Sequence, residues 1–291
     1  MKTYKLKKIL TDSQANKLKT KFLSDKHYSI LIKDDCDAYD INGNLLFRFR
    51  KKAIPIETLR LGYESFKKSI AAGGGRGIAA GGYINKIKKD GTTSNFDTSP
   101  IVESGNVGFM DARPGSGVVA TCRKTSFAKK YFEEFSQGIP FVNFINDKYS
   151  EICPDHYKIQ KAIADGTNRN YIIGNTCFTT VTVNKNFRTA VHKDSGDLPD
   201  GFGNLIVYRE GEWTGGYFCL PQYGVAIDLQ NTDILFVDVH QWHGNTAFKN
   251  IDNDWLRISF VLYYREYMYK CSQPSEELSK IKINQTGYFK I

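Results

Sequence analysis

Residues 233–246 read DILFVDVHQWHGNT. As a regular strand, this stretch puts Leu235, Val237, Val239, Gln241 and His243 on one face. Ile234, Phe236, Asp238, His240 and Trp242 fall on the other. The first set is apolar up to Gln241, so it makes the better interior face, and His243 ends an inward row. A bulge would favour His240 instead. The same texture recurs after Tyr171. CFTTVTVN, GNLIVYRE, GYFCL, GVAIDL and LRISFVLYYRE are short strand-like runs punctuated by Gly, Asn and Asp. Such a series predicts an antiparallel sandwich or barrel.

Upstream the pattern is mixed. HYSILI and NLLFRFRK predict strands, and DSQANKLKTKFL predicts a short basic helix starting at Asp12 or Ser13. PIETLRLGYESFKKSI predicts a helix from Pro55. Phe127, Tyr131, Phe132 and Phe135 fall at helical spacing before a break near Gly138, and DHYKIQKAIAD predicts another helix that leaves His156 exposed. The glycine-rich run AAGGGRGIAAGG (71–82) lacks the GxxxxGK[ST] pattern of a phosphate cradle and reads as a loop. The expected class is α+β, with a helical and mixed N-terminal elaboration over residues 1–170 packed on a sandwich or barrel core over 171–291, together one compact domain.

The 291 residues carry 41% hydrophobic and 13% aromatic side chains, enough for a sizeable core, and a formal charge of +9. That charge suits a polyanionic partner and equally suits a basic protein without one. Six cysteines at 36, 122, 153, 177, 219 and 271 form no CxxC pair. Read as unpaired thiols, they favour a reducing, intracellular setting. The start MKTYKLKKIL lacks the apolar run of a signal peptide, and no segment approaches the ~20 apolar residues of a membrane span.

The chemistry concentrates in TAVHKDSGD (189–197). His192 and Asp194, two apart, project to one side of an extended segment. Two histidines and one carboxylate on one face leave open positions on iron(II) for a chelating cosubstrate and O2. His243 supplies the second imidazole. Arg257 lies fourteen residues further on, in RISF, and a cation inside a barrel strand needs an anion. The distal carboxylate of 2-oxoglutarate would supply one through a bidentate contact. Ser259 points the same way.

His192-x-Asp194, His243-Gly244-Asn245-Thr246 and Arg257-x-Ser259 resemble the iron(II)/2-oxoglutarate dioxygenases of the double-stranded β-helix (jelly-roll) fold. The texture over about 175–265 is most similar to their TET and J-binding-protein branch. The resemblance implies Fe(II), 2-oxoglutarate and O2 as reagents. It implies DNA as partner, with a flipped pyrimidine hydroxylated at its 5-methyl group, 5-methylcytosine slightly ahead of thymine. It also offers Asn184 as a cosubstrate contact, although a strand-end turn explains that residue equally well. Arg76, Arg113, Arg123 and Lys124 are candidate DNA contacts, as are Lys86, Lys88 and Lys89, and Asp197 sits in a loop able to close over substrate. Ordinary surface charge accounts for the same basic residues. The cysteine-rich zinc region of animal TET enzymes is missing. Two other functions fit the same residues: a hydroxylase of protein, RNA or a small molecule, and a cupin-like binder without redox activity.

Overall fold

A computed structural model describes residues 1–71, 74–82, 84–87, 93–112 and 121–287, the side chains of 84–87, 93–98 and 281–287 excepted. The architecture is mixed, with a large, mostly antiparallel sheet facing a smaller one. The large sheet has nine strands in the order Lys2–Leu6, Cys36–Asp40, Leu45–Arg50, Ile234–Val237, Gly203–Glu210, Leu256–Tyr263, Thr180–Lys185, Ser104–Met110 and Arg123–Lys124. The small sheet runs Gly244–Asn245, Phe218–Leu220, Val225–Ile227 and Ile30–Ile32. Both predicted upstream strands are present, and they pair with strands from beyond residue 171 in both sheets.

Period-two alternation sorts the side chains of the large sheet. Leu205, Val207, Leu235 and Val237 turn inward and pack against Phe218, Leu220, Val225 and Ile227 of the small sheet. Ile206, Ile234, Phe236, Ile258, Phe260 and Leu262 turn outward into a second core, closed by helices. The strand Leu256–Tyr263 thus has an apolar outer row and an inner row of Arg257, Ser259, Val261 and Tyr263, all lining one cavity.

The covering helices are Ile56–Phe66, Ile139–Ile152 and Pro154–Asp165. Leu59, Gly62 and Phe66 recur at helical spacing and are buried. Glycine lets two helices touch here, since a Cβ on Gly62 would lie 2.9 Å from the Phe141 ring. Phe141 also meets Phe260 edge-on at 5.2 Å, which ties the helical layer to the sheet. The predicted break near Gly138 is present, and the segment before it divides into Ser126–Lys130 and Phe132–Gln137. The first helix is short, Asp12–Asn16, and is capped by Thr11 rather than Asp12 or Ser13.

Two expectations need correction. His156 is half-buried, its ring 4.0 Å from that of Phe202, because the 199–202 loop folds over the helix. Cys122 and Cys271 form a disulfide, whereas the other four thiols are free and buried. The two partners lie 149 residues apart, so no local spacing announces the pair. Among the described residues no helix is long and apolar enough to cross a membrane.

Truncating Phe141 to Ala removes contacts to both layers. Urea denaturation should show a loss of about 3–5 kcal/mol; a loss below about 1 kcal/mol would mean that the helices do not depend on this ring.

Candidate metal centre

The strand Ile234–Val237 stops before it reaches the histidines. Asp238 then builds a turn: its carboxylate accepts from the His240 amide at 2.9 Å and from Gln241 Nε2 at 2.7 Å. His240 is drawn to that carboxylate, with Nδ1 at 3.2 Å from it. Past the turn, His243 joins His192 in an antiparallel bridge, with reciprocal amide-to-carbonyl bonds of 2.9 and 3.0 Å. His243 is therefore the histidine that clusters with His192 and Asp194, brought there by the bridge and not by an unbroken strand. Asp194 is tied in by its own amide, which donates to Val239 at 3.0 Å.

The imidazole Nε2 atoms of His192 and His243 each lie 3.5 Å from an Asp194 carboxylate oxygen. All three potential ligand atoms fall within 4.8 Å of one another. Each ring is oriented from behind: His192 Nδ1 lies 2.8 Å from the Ala190 carbonyl and His243 Nδ1 lies 3.0 Å from that of Gln241. A carbonyl only accepts, so the hydrogen-bond network assigns the proton to Nδ1 and leaves the Nε2 lone pairs facing the carboxylate. Three electron-rich groups aimed at one point can hold a cation between them. Burial, with the neighbouring His243 adding to it, pushes His192 down to about 4 and keeps it neutral. Burial opposes ionisation of Asp194, yet the attraction of either imidazole in its protonated form outweighs it and holds the carboxyl below its ordinary range. At neutral pH both groups are in the form that binds metal. Phe218 stacks on His243 at 5.2 Å and shields it from the small-sheet side.

The triad opens into a cavity of about 420 Å³, which Arg257, Ser259 and Asn184 also line. Arg257 is 3% exposed, and among the described residues no carboxylate pairs with its guanidinium. Burial, and Arg209 beside it, lower that group to about 10. An unpaired buried cation is costly, so this corner is built to receive an anion.

Residues 108–266 match the Tet_JBP family model, the "Oxygenase domain of the 2OGFeDO superfamily". The chain belongs to this family. Thymine dioxygenase JBP1 of Trypanosoma brucei brucei is 34% identical over 230 residues, covering 78% of this chain and 26% of that protein. The bifunctional helicase and thymine dioxygenase JBP2 of Trypanosoma cruzi is 37% identical over 187 residues, covering 62% of this chain and 17% of that protein. The chain thus spans about a quarter or less of these curated relatives. The solved structure of NgTET1 in complex with 5mC DNA has a TM-score of 0.56 at 14% identity, over 86% of each chain, and shares the fold. The superfamily uses Fe(II), 2-oxoglutarate and O2, and His192, Asp194 and His243 can hold the iron.

Within this oxygenase-family cavity, Asn184 is buried and donates to Ser259 Oγ at 3.2 Å, while Ser104 donates to Asn184 in turn. Arg76 lines the wall, its Nε donating to Ser104 Oγ at 2.6 Å and its terminal nitrogen to Asn106 at 3.1 Å. The glycine-rich run thus contributes cavity wall at Gly75 to Ala79. Asp197 lines the mouth and bridges to Arg265 through the backbone. Arg123 and Lys124 are exposed on the terminal strand of the large sheet and do not line the cavity. Arg113, Lys88, Lys89 and the Lys86 side chain lie outside the described residues.

Sequence reasoning missed Tyr263, Arg265, Thr182 and Asp238. The first two continue the alternation of Arg257, Ser259 and Val261, and Thr182 stands two residues before Asn184, so extending the period would have found all three. Asp238 carries no motif. It supports two of the ligands at a distance, through the Val239 carbonyl on Asp194 and the Gln241 carbonyl on His243. Burial works against the Asp238 carboxylate, but hydrogen bonds from His240 and Gln241 keep it ionised. Replacing Asp238 by Ala should weaken Fe(II) binding about 10–100-fold while the fold persists, as measured by anaerobic titration and circular dichroism. Unchanged affinity would show that the turn does not position the ligands.

Proposed function

We propose that this chain is a 2-oxoglutarate-dependent dioxygenase that hydroxylates the 5-methyl group of a pyrimidine in DNA. The two facing sheets are read as a double-stranded β-helix with helices on its outer face. The observation that carries the reading is the buried Arg257 guanidinium, without a carboxylate partner among the described residues, opening onto the same cavity as the His192–Asp194–His243 cluster.

Bound iron with 2-oxoglutarate supplies the activation of O2 that turns the cosubstrate into succinate and CO2 and puts one oxygen atom on a C–H bond. The chain supplies geometry. Arg257 would hold the distal carboxylate of the cosubstrate through its guanidinium N–H donors. The Asn184 amide occupies a lone pair of the Ser259 hydroxyl, which leaves its O–H free to donate to the same carboxylate. Phe218, Val237 and Val239 keep the wall apolar and the pocket dry. A 5-methyl group inside a stacked duplex reaches such a cavity only when its base is flipped, at a cost of a few kcal/mol that backbone contacts must offset. Arg76 and Asp197, at the wall and mouth, are the candidate contacts to that base. The thymine dioxygenases among the relatives support thymine ahead of the 5-methylcytosine favoured by the sequence reading.

Nucleoside mass spectrometry after incubation with Fe(II), 2-oxoglutarate and duplex DNA tests this directly. The expected product is 5-hydroxymethyluracil, absent with the His243→Ala variant. Oxidation of 5-methylcytosine alone would reverse the choice of base, and succinate formation only with RNA, peptide or small molecules would overturn the DNA reading. The Arg257→Gln variant should raise the KM for 2-oxoglutarate at least tenfold; an unchanged KM would remove Arg257 from the cosubstrate site.

A further inference from the structure

Residues 1–26 contain eight lysines and two aspartates, with no arginine or glutamate. The structure fixes part of this segment beside the metal centre. Leu23 is fully buried with Val191, Cys219 and Ala226, and Leu18 packs against that cluster. Between these anchors the Thr20 amide donates to Val191 at 2.9 Å, and the Val191 amide donates back to Lys21 at 2.9 Å. Val191 directly precedes the ligand His192. Thr20 adopts a left-handed φ of 68°, which tightens the turn. The same residue lies against the glycine-rich segment, since a Cβ on Gly82 would sit 3.2 Å from Thr20 Cγ2. The turn therefore touches two of the elements that line the cavity.

With Leu18 and Leu23 turned inward, Lys17, Lys19 and Lys21 are exposed. Both aspartates of the segment are already engaged, Asp12 by Lys8 and Asp25 by Lys249. Among the described residues, Lys17, Lys19 and Lys21 have no carboxylate partner. Lys193, between the two ligands of the HxD pair, is also exposed; its ammonium lies 5.1 Å from the Trp242 ring centre and its charge reaches Asp12.

We propose that Lys17, Lys19, Lys21 and Lys193 form a phosphate-binding strip for duplex DNA along one side of the cavity mouth. This inference rests on the DNA reading above and adds the surface that holds the backbone while the base enters. Exposed lysines on a turn held against the segments that line the cavity gain by releasing counterions from phosphates. The same cations on the covered outer face of the large sheet would do nothing for a base at the metal.

The test is fluorescence anisotropy of the full chain with a labelled duplex across a salt series. Each lost phosphate contact lowers the slope of log K against log salt by about 0.9. The combined Lys17→Gln, Lys19→Gln, Lys21→Gln variant should lose about two to three in slope and bind at least about tenfold more weakly near physiological salt. A control variant with Lys148, Lys158 and Lys161 changed to Gln removes the same charge from the outer helices and should keep the wild-type slope. Retention of the iron–2-oxoglutarate absorption band reports an intact centre in both. An unchanged slope in the first variant, or an equal loss in the control, overturns the strip while leaving the DNA reading in place. Failure of the wild type to bind any duplex, or tighter binding to RNA of the same length, overturns the DNA reading and the strip with it.

Discussion

The antiparallel bridge between His192 and His243 is the constraint on which the site depends. Two amide-to-carbonyl bonds join residues 192 and 243 and bring the imidazoles to a ring separation of 4.3 Å. Neither histidine belongs to a long strand. Without the bridge, each would sit on an irregular connection with no reason to face the other. The backbone carbonyls behind the rings then settle which nitrogens face the carboxylate. The metal-ready arrangement is thus a property of the main chain as much as of the three side chains.

The two cores explain why the bridge forms where it does. One packs the sheets together, and the other presses the helices on the outer face. Between the sheets the apolar filling runs out at Val237 and Val239, and polar residues take over the inner surface. That boundary puts the metal-binding cluster and the buried Arg257 guanidinium on one cavity. Under the proposed function, the distal carboxylate of the cosubstrate is the partner that the Arg257 guanidinium lacks among the described residues.

Much of this was legible from residue pattern. Alternation in DILFVDVHQWHGNT and RISFVLYY placed the right side chains inward, and the HxD spacing placed two ligands on one side. The reason for choosing His243 was partly mistaken, since the strand ends at Val237 and a turn organised by Asp238 intervenes. A turn of that kind depends on hydrogen bonds to backbone groups, which leave no trace in hydrophobic period. The Cys122–Cys271 disulfide was illegible for a related reason: its partners are close in space and 149 residues apart in sequence. The N-terminal lysines carry an ambiguous signal in sequence, and the pairing of Thr20 and Lys21 with Val191 shows only that their segment lies beside the metal centre.

The most direct measurement is an anaerobic titration of the protein with Fe(II) in the presence and absence of 2-oxoglutarate, followed by visible absorption. The account predicts one iron per chain and a weak charge-transfer band that requires 2-oxoglutarate and disappears in both His192→Ala and His243→Ala. A band that survives loss of either histidine, or an iron stoichiometry independent of both, would contradict the convergence of these side chains on one metal.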